Sequence, residues 1–298
     1  MDDAARPGQR GDRPEEEPPV TDGPTAYTPL LTRLSAVAGA PPATVPYGPD
    51  REQFAELWGA SAAERRPVAA LLHGGYWRRA YRLDLMNAMA ADLTARGMAV
   101  WNLEYRRVGS PNGGWPGTFE DVAAGFDALL DAARAWPLDT RRVMVVGHSA
   151  GGHLALWLAS RRRLGEGPGS GPRLVPALVV SLAGVCDPRE SARRHLSQDA
   201  VVHFLGGRPK ERAAVYDHAD PAARLPHAVP QLLAHGTADD KVPLDLSETY
   251  WRLASAAGDP CRFLRLDGVD HFQVIDPSEA AYQQVMAVAL DWLAARPA

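Results

Sequence analysis

Cysteine is scarce in this chain. Cys186 and Cys261 are the two in 298 residues, too few for a disulfide framework and without the paired spacing of a zinc site. Each stands in an apolar or strand-like setting and reads as a buried free thiol. No run of about 18 apolar residues occurs, which argues against a membrane-spanning helix, and the first residues, "MDDAARPGQRGDRPEEEPPVTDGP", hold no apolar leader for secretion. Excess basic charge is missing too: the formal net charge is −4, which leaves no electrostatic footprint for nucleic acid. Together these absences predict a cytoplasmic protein that binds neither nucleic acid nor membrane. A homodimer is compatible with them.

What is present is the composition of an ordinary globular protein. Hydrophobic residues make up 46% and charged residues 23%, enough to bury a sizeable core. Residues 1–25 are the exception, rich in Pro, Gly and charge with few apolar side chains, and they read as a disordered tail. No internal repeat or second change in composition follows, so residues 26–298 read as one domain.

Short apolar runs recur along that domain: "VAALL" (68–72), "MAVWNL" (98–103), "VMVVG" (143–147), "ALVVSLA" (177–183), "PQLLAH" (230–235) and "CRFLRL" (261–266). Most are continuously hydrophobic, as strands covered on both faces of a parallel sheet are. Between them lie "LDLMNAMAADLTARG", "TFEDVAAGFDALLDAARAW" and "AGGHLALWLASRRR", stretches of helical length and spacing. Strands alternating with helices predict βαβ crossovers and a mostly parallel, doubly wound α/β sheet. "EQFAELW" (52–58) reads as a further strand, antiparallel at the sheet edge. "RRRLGEGPGSGPRLVP" reads as a surface loop, and the long connection over about 187–225 as a helical cap above the strand ends.

The sharpest local signal is Gly147-His148-Ser149-Ala150-Gly151, a G-x-S-x-G between a predicted strand and a predicted helix. Small neighbours let the chain make a sharp turn that projects the serine hydroxyl, with a helix N-terminus behind it. A serine hydroxyl is a weak nucleophile without a base. Two later strands end in loops that carry the partners: "LLAHGTADDKVP" presents Asp239 and Asp240, and "LDGVDHFQV" presents His271. Loops at the carboxyl ends of strands border the ligand crevice of an open α/β sheet, so Ser149, Asp239 and His271 are expected to converge. The histidine would take the serine proton, and the carboxylate would orient and stabilise the imidazolium.

A tetrahedral oxyanion needs at least two fixed donors. The N–H of Ala150 is one, and the loop His73-Gly74-Gly75-Tyr76-Trp77 offers the N–H groups of Gly75 and Tyr76. Apolar walls for a substrate are expected from Tyr76, Trp77 and Trp115, with His148 beside the nucleophile. The mechanism is complete with protein groups and water, so neither metal nor organic cofactor is expected.

The set HGGYW, GHSAGG, HGTADDKVP and DHF, in this order, resembles the α/β-hydrolase superfamily over essentially the whole chain after the tail. Within it, HGG-x-W resembles the kynurenine formamidase (arylformamidase) branch and its esterase relatives, and "WNLEYRRVG" with Tyr105 and Arg106 is similar to the same group. The resemblance implies the α/β-hydrolase fold, Ser149, Asp239 and His271 as catalytic residues with Asp239 preferred to Asp240, and a carboxylesterase (EC 3.1.1) or arylformamidase (EC 3.5.1) acting on a small ester or amide. Arg106 and Arg107 are candidates by position for the amino-acid end of an N-formylkynurenine, with surface salt bridging as their ordinary role. Many members of the superfamily have a third glycine where Tyr76 stands; the added bulk implies a small acyl group, formyl or acetyl. Two other uses of the same fold stay open: a tailoring enzyme that passes the acyl group to an internal nucleophile, and a non-catalytic binding protein.

A fluorophosphonate probe is expected to add to Ser149 in the folded chain, read as a mass increment on the peptide that contains it. A folded protein that takes up no label there removes the hydrolase and acyl-transfer readings together.

Overall fold

The computed structural model describes residues 28–35, 43–60 and 64–295; the stretch read as a disordered tail lies outside them. Eight strands form one sheet: β1 (Ala43–Pro46), β2 (Phe54–Trp58), β3 (Arg66–Leu72), β4 (Ala99–Leu103), β5 (Leu138–His148), β6 (Leu178–Leu182), β7 (Gln231–Gly236) and β8 (Cys261–Leu266). Their order across the sheet is β1-β2-β4-β3-β5-β6-β7-β8. β1 and β2 run antiparallel to their neighbours, and from β4 to β8 every pairing is parallel.

The continuous hydrophobic runs are explained by two packed faces. Val143 and Val145 of β5 belong to the core on one side with Trp101, Phe119 and Trp157, while Met144 and Val146 belong to the other with Met86, Met89 and Met286. Alternate side chains of a strand point to opposite faces; with both faces covered, each must be apolar.

Parallel register brings the functional loops out at one end of the sheet. Leu72 pairs with Gly147, His148 with Leu182, and Gly236 with Leu266. The chain therefore leaves β3 into His73-Gly74, leaves β5 into Ser149, and leaves β7 and β8 into the loops of Asp239 and His271, all at the carboxyl edge.

Two local expectations change. The strand expected at the sheet edge lies one place in, because Ala43–Pro46 occupies the edge. That strand is four residues long, ends in proline and alternates half-buried with exposed positions, the character of a protected edge rather than of an apolar run. The stretch expected as one helix up to Trp136 divides into Gly117–Asp127 and a turn at Leu129–Ala132. The segment over 187–225 contains helices Pro188–Arg193, Leu196–Leu205 and Ala213–Ala219, and it meets the loops through Phe204, whose ring stacks on Trp77 at 4.5 Å and whose carbonyl accepts from the Trp115 N–H at 2.9 Å.

The loop after Arg163 has a buried anchor. Arg161 donates from both terminal nitrogens to Asp127, at 3.1 and 2.8 Å, and from Nε to the Gly169 carbonyl at 2.7 Å. The same carboxylate accepts from the backbone N–H groups of Arg173 and Leu174. Removing one partner of a buried pair leaves a charge uncompensated, at about 3–5 kcal/mol. Asp127→Ala is expected to lose stability of that order in urea unfolding, and a loss below about 1 kcal/mol would show that the anchor is not needed.

Candidate active site

Ser149 sits in a backbone conformation that side chains rarely adopt, φ 56° and ψ −117°. A conformation of this kind costs about 1–3 kcal/mol and persists only where the surroundings over-determine it. Here they do: the Ser149 N–H donates to the Leu182 carbonyl at 2.8 Å, and its carbonyl accepts from Gly152 and Val185 at 2.9 and 3.2 Å. The two motif glycines are required by crowding. A Cβ on Gly147 would lie 2.0 Å from the Gly151 carbonyl oxygen, and one on Gly151 would lie 2.1 Å from the Leu72 carbonyl oxygen.

His271 Nδ1 lies 2.7 Å from Asp239 Oδ2. A carboxylate accepts, so Nδ1 carries the proton and Nε2 keeps its lone pair for a base's work. Asp239 collects more than this one donor. His235 Nε2 stands 3.0 Å from the same oxygen, and the N–H groups of Lys241 and Val242 reach Oδ1 at 2.8 Å each. Burial alone would raise the Asp239 pKa; the hydrogen bonds from His235 and His271 outweigh it and hold the carboxyl well below the usual carboxylate range. His235, an ordinary strand-end histidine in the sequence, is fixed in turn by Ser247 Oγ at 2.8 Å and the Val242 carbonyl at 3.0 Å. Asp240 lies in the cleft wall, exposed and 3.4 Å from Lys241 Nζ.

His148 braces the His271 backbone. Its Nε2 lies 2.9 Å from the His271 carbonyl oxygen, so it is the N–H that donates. Burial, aided by the charge of His271, pushes the His148 pKa down to about 3, which keeps the imidazole neutral.

The glycine loop is rooted in a buried ionic cluster. His73 Nδ1 donates to the Gly74 carbonyl at 2.7 Å, its ring stacks on Tyr105 at 4.4 Å, and the Tyr105 hydroxyl donates to the His73 carbonyl at 2.7 Å. His73 Nε2 stands 3.2 Å from Glu104, which also pairs with the fully buried Arg107. Burial works to raise the Glu104 pKa, but the contacts with His73 and Arg107 pull it below the ordinary value. From this root the chain runs through three consecutive positive φ angles, 107° at Gly75, 51° at Tyr76 and 57° at Trp77. Gly75 suits such a value without strain; Tyr76 and Trp77 do not. The Tyr76 side chain crosses to the acid loop, where its hydroxyl donates to the Lys241 carbonyl at 2.6 Å, and burial followed by the charge of Asp239 keeps its phenol above the ordinary range and protonated.

A cleft of about 300 Å³ joins these parts, with Gly75, Tyr76, Arg78, His148, Ser149 and His271 among its walls. Trp77 and Trp115, expected beside it, are not among those walls. The positive φ at residues 76 and 77 turns the Trp77 ring into the core, 1% exposed against Phe204 and His153. Trp115 packs on Phe119 and His218. Arg106 is held by Asp121 through three hydrogen bonds and Arg107 by Glu104 and Glu52, so neither is free to meet a substrate. Ala150 opens the helix Ala150–Ser160; the first N–H groups of a helix have no partner within it.

Known proteins are similar to this chain. A family model described as BD-FAE matches residues 58–252. A probable isoprenylcysteine alpha-carbonyl methylesterase of Oryza sativa subsp. japonica is 23% identical over 218 residues, 70% of this chain and 52% of its own length. An isoprenylcysteine alpha-carbonyl methylesterase of Arabidopsis thaliana is 22% identical over 217 residues, 69% of this chain and 50% of its own. The chain spans about half the length of the curated relatives it matches. Among solved structures, esterase B from Lactobacillus Rhamnosis superposes with a TM-score of 0.72 at 20% identity, covering 89% of this chain and 90% of that one. A propionate-bound esterase from Thermogutta terrifontis gives 0.69 at 20%, covering 86% and 96%. These likenesses show the α/β-hydrolase fold. No helix among the described residues is long and apolar enough to cross a membrane.

Asp239→Asn is expected to keep the fold and to lower kcat on the order of 10⁴-fold, because an amide that donates to His271 selects the wrong tautomer. His271→Ala is expected to abolish turnover. With an unchanged circular dichroism spectrum, activity retained in His271→Ala would show that another group serves as base, and activity retained in Asp239→Asn that Asp239 is not the acid that orients it.

Proposed function

This chain belongs to the BD-FAE family, and on that premise we propose that it is a serine esterase that cleaves a small carboxylic ester through an acyl-enzyme on Ser149. The observation that carries this reading is the shared cleft of Ser149 and His271, with His271 Nδ1 bound to a carboxylate that burial and four donors keep ionised. His271 Nε2 accepts the serine proton as Oγ attacks the ester carbonyl. The oxyanion meets the N–H groups of Ala150 and of Gly75 and Tyr76, which belong to the backbone rather than to mobile side chains, so that little reorganisation accompanies the reaction. The imidazolium then protonates the departing alkoxide. A water deprotonated by the same nitrogen releases the acid and restores the serine.

Ester cleavage is favoured over cleavage of an aryl-formamide. The formamidase reading rests on the HGGYW resemblance, whereas the matched relatives and solved structures are named as esterases. No arginine at positions 106 or 107 is available for the amino-acid end of an N-formylkynurenine. Within the ester class, a small acyl group fits best: Tyr76 stands at the position of an oxyanion donor and its ring is fixed at both ends, by the backbone and by the Lys241 carbonyl.

Acetyl and propionyl aryl esters are therefore expected to turn over with kcat/KM at least about tenfold above hexanoyl esters. Tyr76→Ala is expected to narrow that gap, and Tyr76→Phe to keep it. Hexanoyl esters cleaved as well as acetyl esters by the native chain would refute the acyl-size reading, and turnover of N-formylkynurenine without any ester turnover would reverse the choice of substrate class.

A further inference from the structure

Resting on the esterase reading, we propose that Arg78 is an anion subsite, and that the preferred ester carries a carboxylate on its leaving-group part. Arg78 lines the same cleft as Ser149 and His271 and is half-buried. Its guanidinium makes one hydrogen bond, from a terminal nitrogen to the Ser197 carbonyl. It forms no ion pair among the described residues. A guanidinium has five N–H donors, so most of those on Arg78 have no protein acceptor there.

The other charged side chains in the cleft wall, Asp240 and Lys241, are paired with each other. Lys241 stands 3.4 Å from Asp240, and Asp239 is saturated by His271, His235 and two backbone N–H groups. Arg106 and Arg107 are bound to Asp121 and to Glu104 and Glu52. Arg78 is thus a cation partly removed from water, in the wall of the cleft and with unspent donors, and burial without partners is costly for such a group. A carboxylate fills that need in a way a neutral group does not, since guanidinium and carboxylate match as a planar, charge-assisted pair.

The arginine is held ready rather than free to swing. Its backbone N–H donates to the Gly75 carbonyl at 3.0 Å, and Arg78 bridges to Val108. Ser197, which accepts from its side chain, opens a run of three residues in the left-handed region, with φ of 47° at Ser197, 57° at Gln198 and 58° at Asp199. L-residues visit that region singly and at a cost. Ser197 and Gln198 both line the cleft, so this strained turn holds the wall on which the guanidinium rests. Because Tyr76 restricts the acyl side, the remaining space, with Arg78 in its wall, falls to the leaving group.

The test compares two acetyl esters that differ in one charge: that of 4-hydroxybenzoate and that of methyl 4-hydroxybenzoate. In Arg78→Gln the ratio of kcat/KM for the anionic ester to that for the neutral one is expected to fall about tenfold, mostly through KM, and Arg78→Lys is expected to restore part of it. An unaltered ratio in Arg78→Gln, including an equal loss on both esters, overturns the proposal, because support of the Ser197 carbonyl alone affects both alike. Should Arg78→Gln fail to fold, the native enzyme decides: 4-hydroxybenzoate should inhibit cleavage of the neutral ester about tenfold more tightly than methyl 4-hydroxybenzoate does, and equal inhibition overturns the subsite. If the native chain cleaves neither ester, nor any other small ester, the esterase reading falls and the subsite with it. Ester cleavage without charge discrimination defeats the subsite alone.

Discussion

The site depends on one crowded piece of backbone, where the turn at Ser149 passes against the end of β3. At Gly151 a single added carbon would meet the carbonyl oxygens of both Leu72 and His73, at 2.1 and 2.5 Å. The turn that carries Ser149 and the strand end that starts the glycine loop are therefore in direct contact. That contact sets the Ser149 turn against the backbone donors proposed to receive the oxyanion. Preorganisation of this kind is where an enzyme gains most from a rigid scaffold, and here it comes from sheet register, Leu72 beside Gly147, rather than from side chains.

Two buried carboxylates do for the loops what the register does for the turn. Asp239 gathers two imidazoles and two backbone N–H groups; Glu104 gathers His73, Arg107 and the N–H groups of Leu83 and Tyr105. Each sits at the root of a loop that carries chemistry, and each is ionised because its donors outweigh its burial. A buried charge is weak support for stability but a strong determinant of which conformation is adopted. The cost of placing charge inside the protein is met at the two points where loop position matters.

Much of this was legible in the sequence, and the failures have a common origin. The buried strands announced themselves because two covered faces force continuous apolar runs, and Ser149 and Asp239 follow such runs closely; His271 follows β8, which holds two arginines and is mostly half-buried or exposed. β1 was hidden because an edge strand of four residues ending in proline has no apolar run to show. Trp77 was misdirected by two successive positive φ angles at non-glycine residues, which reverse the side-chain direction that ordinary loop geometry suggests. Nothing in the sequence around His235 marks its contact with Asp239, which depends on the path of the loop from 237 to 242. Arg78 gave no signal at all among so many arginines; only the pairing of its neighbours sets it apart.

The Tyr76 hydroxyl that reaches the Lys241 carbonyl has a consequence for how such a chain could change over evolutionary time. It ties the loop after β3 to the loop that carries Asp239, so under the proposed reading acyl room and acid orientation share one side chain. A substitution that opens the site at Tyr76 then also releases the neighbour of the carboxylate. Under that reading, drift toward bulkier substrates passes through a less ordered acid loop, or it requires a compensating change around Lys241 first. Substrate range would then be buffered against mutation by a phenol.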